Sequence, residues 1–412
     1  MTQTSKPSGA LFSIPVFVAA LGYFVDIYDL LLYTIVRVPS LKSLGLDDAQ
    51  VRDDGLKIIN YQMIGLLLGG IFWGMLGDKK GRLSVLFGSI LLYSVANVAN
   101  GFVQTVDQYA WARFIAGLGL AGELGAGITL VSEILPKEKR GLGTSMVAGI
   151  GLSGAVLAYF ISKEFDWRVC YFIGGGLGVV LLILRISVAE SGMFNHIKSQ
   201  SVQRGNFFSF FNNGKRFKKY LLSILIGLPT WYVIGILVSF SREFGKAFGI
   251  AEEIDPGRGI MFAYVGISVG DIAVGLLSQV LKSRKKALFI FYGLSIISII
   301  LYFLQANGTA ASMYAICLAL GFSTGFWAIF VTMGAEQFGT NLRATAATTI
   351  PNMVRGSLPL IALLFKDLLQ VKLGYDILFA GIVTGVVVIT ITLVAAWFTE
   401  ETFTKDLNYV EE

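Results

Sequence analysis

Charge is scarce in this chain, with Asp, Glu, Lys and Arg together making up only 15% of 412 residues. A water-soluble fold of that length would have too little polar surface to cover it, so soluble domains are excluded. Histidine occurs once, at His196, and cysteine twice, at Cys170 and Cys317, each inside an apolar stretch. That leaves no spacing suited to a disulfide framework, a zinc site or a redox pair, and both cysteines read as packing residues. Imidazole and thiolate ligands are missing from the apolar spans, which disfavours a transition-metal pump. No GxxxxGK[ST] loop is present, so ATP-driven transport has no support on this chain. Nothing favours an enzyme, and no catalytic group, metal or cofactor is expected.

What the chain has instead is apolar residue, 55% of the total, and 48 glycines spread among Leu, Ile, Val and Phe. Mean hydropathy is +0.70. Dispersed glycines suit helices packed closely in lipid, and a polytopic membrane protein follows. The net charge of +6 could suggest a nucleic-acid partner. Its cations sit in short clusters between apolar spans, however, and form no single basic face, so nucleic acid is excluded as a partner. Lys6 followed by apolar residues from Leu11 has the start of a signal peptide, but the run continues to about Val36 and contains Asp26 and Asp29. It is read as a retained helix.

Crossing roughly 30 Å of hydrocarbon takes about 20 apolar residues. Twelve candidate spans lie near 11–37, 57–77, 82–104, 106–134, 140–162, 167–189, 219–244, 259–281, 286–305, 309–336, 343–366 and 374–399. Connections 77–82, 136–140, 190–218 and 282–286 are rich in Lys and Arg and fall on one side of that count, whereas the alternate ones mix signs. The positive-inside rule puts both termini in the cytoplasm and the chain in a bacterial cytoplasmic (inner) membrane. The organisation expected is a bundle at 1–189, a cytoplasmic linker at 190–218 and a second bundle at 219–412. A shift of 203 residues lays Gly122 on Gly325, Glu133 on Glu336, Arg140 on Arg343 and Arg82 on Lys285. Two pseudo-symmetric six-helix bundles explain such a repeat.

Several stretches carry more than a pattern. Gly74, Gly77, Asp78, Lys79, Lys80, Gly81 and Arg82 resemble the loop between helices two and three of the major facilitator superfamily. GYFVDIYDLLLY from Gly22, RFIAGLGLAGELGAGITLVSE from Arg113 and KRGLGTSM from Lys139 are similar to its metabolite:proton symporter branch. So are WRVCYFIGGGLG from Trp167 and AESGMF from Ala189. Asp26 and Ile27 stand where that branch has Glu and Trp, and Gly192 where it has Pro. The resemblance implies an all-α integral membrane protein of the major facilitator fold, and a Glu at position 123.

Charged side chains in the bilayer centre cost about 2.5–3.5 kcal/mol on insertion scales, so those inside apolar spans are paired, hydrated or functional. Asp29 and Arg113 fall at the same depth, roughly 10–12 Å from one face at 1.5 Å per residue. Asp26 and Asp29, three residues apart, share a helical face with Gly22 and Tyr33. Two carboxylates this close repel, and such a pair can carry a proton. A structural ion pair of Asp29 with Arg113 and a hydrated crevice at Asp26 are the plainer alternatives. Glu123, among glycines of the fourth span, is a further candidate for proton coupling. Arg355 cannot shed its charge and needs an anion, either Asp271 or the substrate. Tyr33, Trp231, Tyr232, Trp327 and Asn352 are candidates for lining the substrate site, where Arg113 or Arg355 would hold the carboxylate and Asp271 is a further candidate.

Asp78, Arg82, Glu133, Arg140, Glu336 and Arg343 read as a latch, with ion pairs between the halves closing the cytoplasmic gate. The function expected is secondary active transport by alternating access: proton-coupled uptake of a small organic metabolite, an anion such as a carboxylate. Antiport or efflux of an amphipathic compound is the second reading, and a membrane nutrient sensor the third. The partners are the small-molecule substrate, protons and the lipid bilayer, and the chain is expected to work as a monomer.

Overall fold

The computed structural model describes residues 13–135, 137–185, 206–339, 341–403 and 405, all helix or short connection. Twelve spans form two bundles of six. The first bundle holds Ile14–Ser43, Asp48–Lys80, Arg82–Asn100, a fourth span in two pieces (Val106–Leu120 and Glu123–Ile134), a fifth in two (Lys137–Leu152 and Gly154–Glu164) and Trp167–Arg185. The second begins with a seventh span built from Gly214–Leu225, Leu228–Tyr232, a π-helical stretch Val233–Val238 and Ser241–Ala247. Pro256–Leu281, Arg284–Phe303, a divided tenth span (Ala310–Thr324 and Trp327–Glu336), an eleventh from Arg343 to Lys372 and Ile377–Phe398 complete it. Most of the expected linker, including His196, lies outside the described residues, and its far end is already helix from Gly214.

Local chemistry sets the ends of these helices. Asp47 and Gln50 make a capping box, and the hydroxyls of Thr105, Ser283 and Thr309 each accept from a backbone N–H of the helix that follows. The turn between the second and third spans depends on Gly81, whose φ of 101° with ψ of 160° is open to glycine alone. That turn lies on the Lys/Arg-rich side, called the basic face below; the connections near 44–47 and 101–105 lie on the opposite face.

The repeat is visible in where the helices break. The fourth span is interrupted at Ala121 and Gly122, and the tenth at Gly325 and Phe326; the fifth breaks at Ser153, and the eleventh at Gly356 and Ser357. The shift of 203 that pairs Gly122 with Gly325 also pairs Ser153 with Gly356. Backbone groups freed at a break inside a membrane must find partners, and here side chains supply them. Trp73 Nε1 donates to Leu118 O at 2.7 Å and Tyr292 Oη to Ile226 O at 2.7 Å.

Across the boundary between the bundles, the second span packs on the eleventh and the fifth on the eighth, partners that the repeat relates. Among the described residues, ten helices are long and apolar enough to cross a membrane. The fourth and eleventh spans, which carry Arg113, Glu123 and Arg355, are not among those ten. Large apolar side chains such as Leu91, Ile183, Leu276 and Val386 face outward, as lipid-facing positions require.

Candidate functional site

Seven ionisable groups sit where the bundles meet or within one bundle's core: Asp26, Asp29, Arg113, Glu123, Arg185, Asp271 and Arg355. None is more than 1% exposed, so none faces the lipid. Their partners differ, and the difference defines the site.

Asp29 and Arg113 are paired. Arg113 Nη1 donates to Asp29 Oδ1 and Nη2 to Asp29 O, each at 3.0 Å, while Nε reaches Gln62 Oε1 at 3.3 Å and Nη1 reaches Asn97 Oδ1 at 3.2 Å. Glu123 is paired as well, with Arg185 of the sixth span, whose Nη1 donates to Glu123 Oε2 at 2.9 Å and whose Nη2 bonds Oε1. Arg185 was not among the residues singled out from sequence. Its signal is a single cation in the apolar run LLILRISV, which reads too easily as the end of a span.

Asp26 stands apart, since neither of its carboxylate oxygens has a hydrogen-bond partner. Arg355 is its counterpart in the other bundle. Among the described residues Arg355 makes no ion pair; Nη1 donates to Asn352 Oδ1 at 3.3 Å, Nε has no partner, and the guanidinium lies 5.6 Å from the Trp327 ring centroid. Asp271 is therefore not the anion that Arg355 needs. Its Oδ1 instead accepts from Ala328 N at 2.9 Å, capping from the eighth span the half-helix Trp327–Glu336. A carboxylate suits that place, because the N-terminus of a helix is its positive end. Glu123, first residue of the half-helix Glu123–Ile134, occupies the matching place in the fourth span.

The remaining candidates divide. The indole Nε1 atoms of Trp231 and Trp327 are buried without partners. Tyr232 turns away to the twelfth span, where its hydroxyl donates to Gly381 O at 2.7 Å. Tyr33 is held inside the first bundle, its hydroxyl on Gly55 O at 3.3 Å and its ring edge-on to Tyr109. The expectation that these two tyrosines line the site fails for one reason: each hydroxyl satisfies a carbonyl within its own bundle. Asn352 bridges the bundles, donating to Ala121 O at 2.8 Å across the break in the fourth span.

The expected latch lies largely outside the described residues. Glu336 pairs with Arg284 of its own bundle, at 2.7 Å, and Arg343 has partners of its own. The side chains of Asp78, Arg82, Glu133 and Arg140 lie outside the described residues. Among the described residues, ion pairs between the bundles cluster on the opposite face: Arg37 with Glu243 at 2.9 Å, Lys246 and Arg242 with Asp48 at 3.0 and 3.5 Å, Lys163 with Asp255 at 2.7 Å and Lys366 with Asp53 at 2.8 Å. Arg37 is fully buried and also donates to Ser239 O at 3.1 Å. Towards the basic face the bundles also meet closely, with Gly70 packed on Asn352 and Gly125 on Thr348.

The family model of the Major Facilitator Superfamily matches residues 14–363. The chain belongs to that superfamily. This major facilitator is 27% identical over 380 residues to the niacin transporter NiaP of Acinetobacter baylyi, covering 83% of each chain. It is 25% identical over 351 residues to the gentisate transporter of Corynebacterium glutamicum, covering 79% of this chain and 75% of that one. Among solved structures, the proton:xylose symporter XylE superposes with a TM-score of 0.73 over 96% of this chain and 97% of that one, at 17% identity, a likeness of fold. The chain is thus a multi-pass membrane transporter and not an enzyme, and its substrate is a small molecule.

Proposed function

We propose that this transporter takes up a small aromatic monocarboxylate together with one proton, by alternating access. The observation that carries this reading is a pair of buried opposite charges, Asp26 in one bundle and Arg355 in the other, neither of them in an ion pair. Asp29 is paired with Arg113, Glu123 with Arg185, and Asp271 is committed to a half-helix N-terminus through Ala328 N, which leaves Asp26 and Arg355 without bonded counter-groups.

Charge balance then gives the coupling. In the empty carrier, ionised Asp26 offsets Arg355, and the two together add no net charge to the core that reorients. A substrate carboxylate on Arg355 uses up that cation and leaves Asp26 uncompensated, which in a low-dielectric core is strongly unfavourable. A proton on Asp26 restores neutrality. Anion and proton therefore travel together or not at all, and half-loaded carriers are held back. The indoles of Trp327, beside Arg355, and Trp231 offer flat apolar faces for a ring and N–H groups for its polar substituents. Niacin and gentisate, named for two relatives, each join one carboxylate to an aromatic ring.

The basic face is taken as cytoplasmic by the positive-inside rule, with both termini there. The bundles 1–189 and 219–412, joined by 190–218, rock about the centre. Opening outward breaks the ion pairs of Arg37, Lys246, Lys163 and Lys366, and opening inward separates Asn352 from Ala121. In proteoliposomes with an alkaline interior, labelled nicotinate or gentisate is expected to accumulate, and a protonophore to abolish the accumulation. Accumulation that survives the protonophore would refute proton coupling. Failure of every aromatic acid, with uptake of a sugar or polyol, would refute the substrate class.

A further inference from the structure

A threonine hydroxyl inside a helix ordinarily bonds the carbonyl four residues earlier, which spares it an unpaired burial. Thr324, Thr332, Thr349, Thr384 and Thr399 all do so, at 2.7–2.8 Å. Thr230 does not: its hydroxyl is buried and has no partner. The carbonyl it would use, Ile226 O, is instead held by Tyr292 Oη at 2.7 Å, at the break that precedes Leu228. The next residue, Trp231, also buries its Nε1 without a partner. One short segment of the seventh span thus keeps two polar groups unsatisfied side by side, at a cost to stability that a partner from outside the fold would offset.

The neighbours of this segment show where it points. A Cβ on Gly227 would meet the Phe330 ring and the Val354 side chain. Phe330 lies ring to ring with Trp327 at 5.1 Å, and Val354 precedes Arg355, whose guanidinium is 5.6 Å from the Trp327 ring centroid. Thr230 and Trp231, three and four residues beyond Gly227, share its side of the helix, whereas Tyr232 turns off to the twelfth span. Both are more than nine-tenths buried, so neither faces lipid. The scaffold itself does not require the arrangement. At the matching places in the first bundle stand Ile27, which is apolar, and Tyr28, whose hydroxyl donates to Cys170 O at 2.9 Å.

Resting on the reading of an aromatic monocarboxylate held at Arg355, we infer that Thr230 and Trp231 form a subsite for a hydroxyl group on the substrate's ring, with Thr230 as the residue that selects it. An indole N–H only donates, and a threonine hydroxyl donates or accepts. A phenolic hydroxyl accepts one bond and gives one, so it satisfies both. A pyridine nitrogen only accepts and satisfies one of them, and an unsubstituted ring leaves both unpaired. Sites built to bond a hydroxyl discriminate against analogues that lack it for this reason.

Benzoate, nicotinate, 3-hydroxybenzoate and 4-hydroxybenzoate are titrated by calorimetry into the purified wild type, Thr230→Val and Thr230→Ser in one detergent. The wild type is expected to bind the better hydroxybenzoate about tenfold more tightly than benzoate, and Thr230→Val to reduce that preference to about twofold. Thr230→Ser, which restores a hydroxyl, is expected to keep it. Valine has the shape of threonine and removes only an unpaired buried group, so the empty Thr230→Val protein is expected to melt no lower than the wild type. A wild type without the preference, or a preference that Thr230→Val leaves unchanged, overturns the inference and leaves the aromatic-acid reading standing. A Thr230→Val protein that melts well below the wild type would mean that the hydroxyl is bonded within the fold, and overturns it too. Failure of all four acids to bind the wild type instead removes the aromatic-acid reading and the inference with it, so the two failures are distinguishable.

Discussion

The first and seventh spans occupy equivalent places in the two bundles, yet they solve the same packing problem with different chemistry. Shifted by 203 residues, Asp29 falls on Tyr232, Arg113 on Ile316 and Asp26 on Pro229. Where the first span joins the fourth through an ion pair, the seventh joins the twelfth through a tyrosine hydroxyl and a carbonyl. Conversely, Arg355 has Leu152 as its counterpart, and Asp271 has Leu68. Duplication supplied a symmetric scaffold, and the charges were distributed on it unequally. The first bundle holds two carboxylates with their own arginines and Asp26 without one; the second holds Arg355 against the Trp327 indole and Asp271 on a backbone N–H. An asymmetric arrangement of this kind lets one bundle carry the proton while the other grips the anion.

The sharpest way to break this contrast lies within the first span. Asp29→Asn leaves Arg113 buried without its counter-charge and is expected to destabilise the fold by about 3–5 kcal/mol. Asp26→Asn removes no ion pair, so it is expected to melt close to the wild type while losing gradient-driven accumulation and keeping counterflow. Thermal unfolding of the purified variants in one detergent tests both. Equal melting would mean that the two carboxylates are equivalent after all.

In the other bundle, Arg355→Gln is expected to weaken carboxylate binding by about 2–5 kcal/mol, with little change in the melting of the empty protein. Titration of nicotinate or gentisate, followed by tryptophan fluorescence, measures it, since Trp327 lies beside the guanidinium. Unchanged affinity would move the anion site elsewhere. The smallest effect is expected at the gate. Lys366→Gln removes one of five ion pairs between the bundles on the opposite face among the described residues, and partly exposed pairs contribute little each. It should shift the balance toward the outward-open state only a few-fold, read as altered labelling of a cysteine introduced at that face. Loss of transport in this variant would mean that the pair does more than bias a balance.

Much of this was legible in the sequence, because lipid leaves little freedom. Apolar span length, the alternation of basic connections and the 203-residue shift specify the architecture, and the equal depth of Asp29 and Arg113 anticipates their pair. Arg355's lack of a carboxylate partner was not legible, because Asp271 sits at a similar depth and only the break before Trp327 provides it with another donor. Arg185 lay hidden near a span end, since sequence spacing does not reveal that Gly22, where a Cβ would overlap Arg185 and Glu123, opens a path to it. The outer ion pairs were missed for a related reason. Arg37 and Glu243 stand in different bundles, and no periodicity along the chain records a distance between bundles.

The central claim is that one carboxylate and one proton replace the charge balance of Asp26 with Arg355, so that loaded and empty carriers have equal charge. Its most direct test separates the two components of the driving force in proteoliposomes. With the membrane potential clamped at zero, a pH gradient alone should drive accumulation of the aromatic acid, and a potential imposed without a pH gradient should drive none. Accumulation driven by potential alone would show that net charge crosses with the substrate, and would contradict the account.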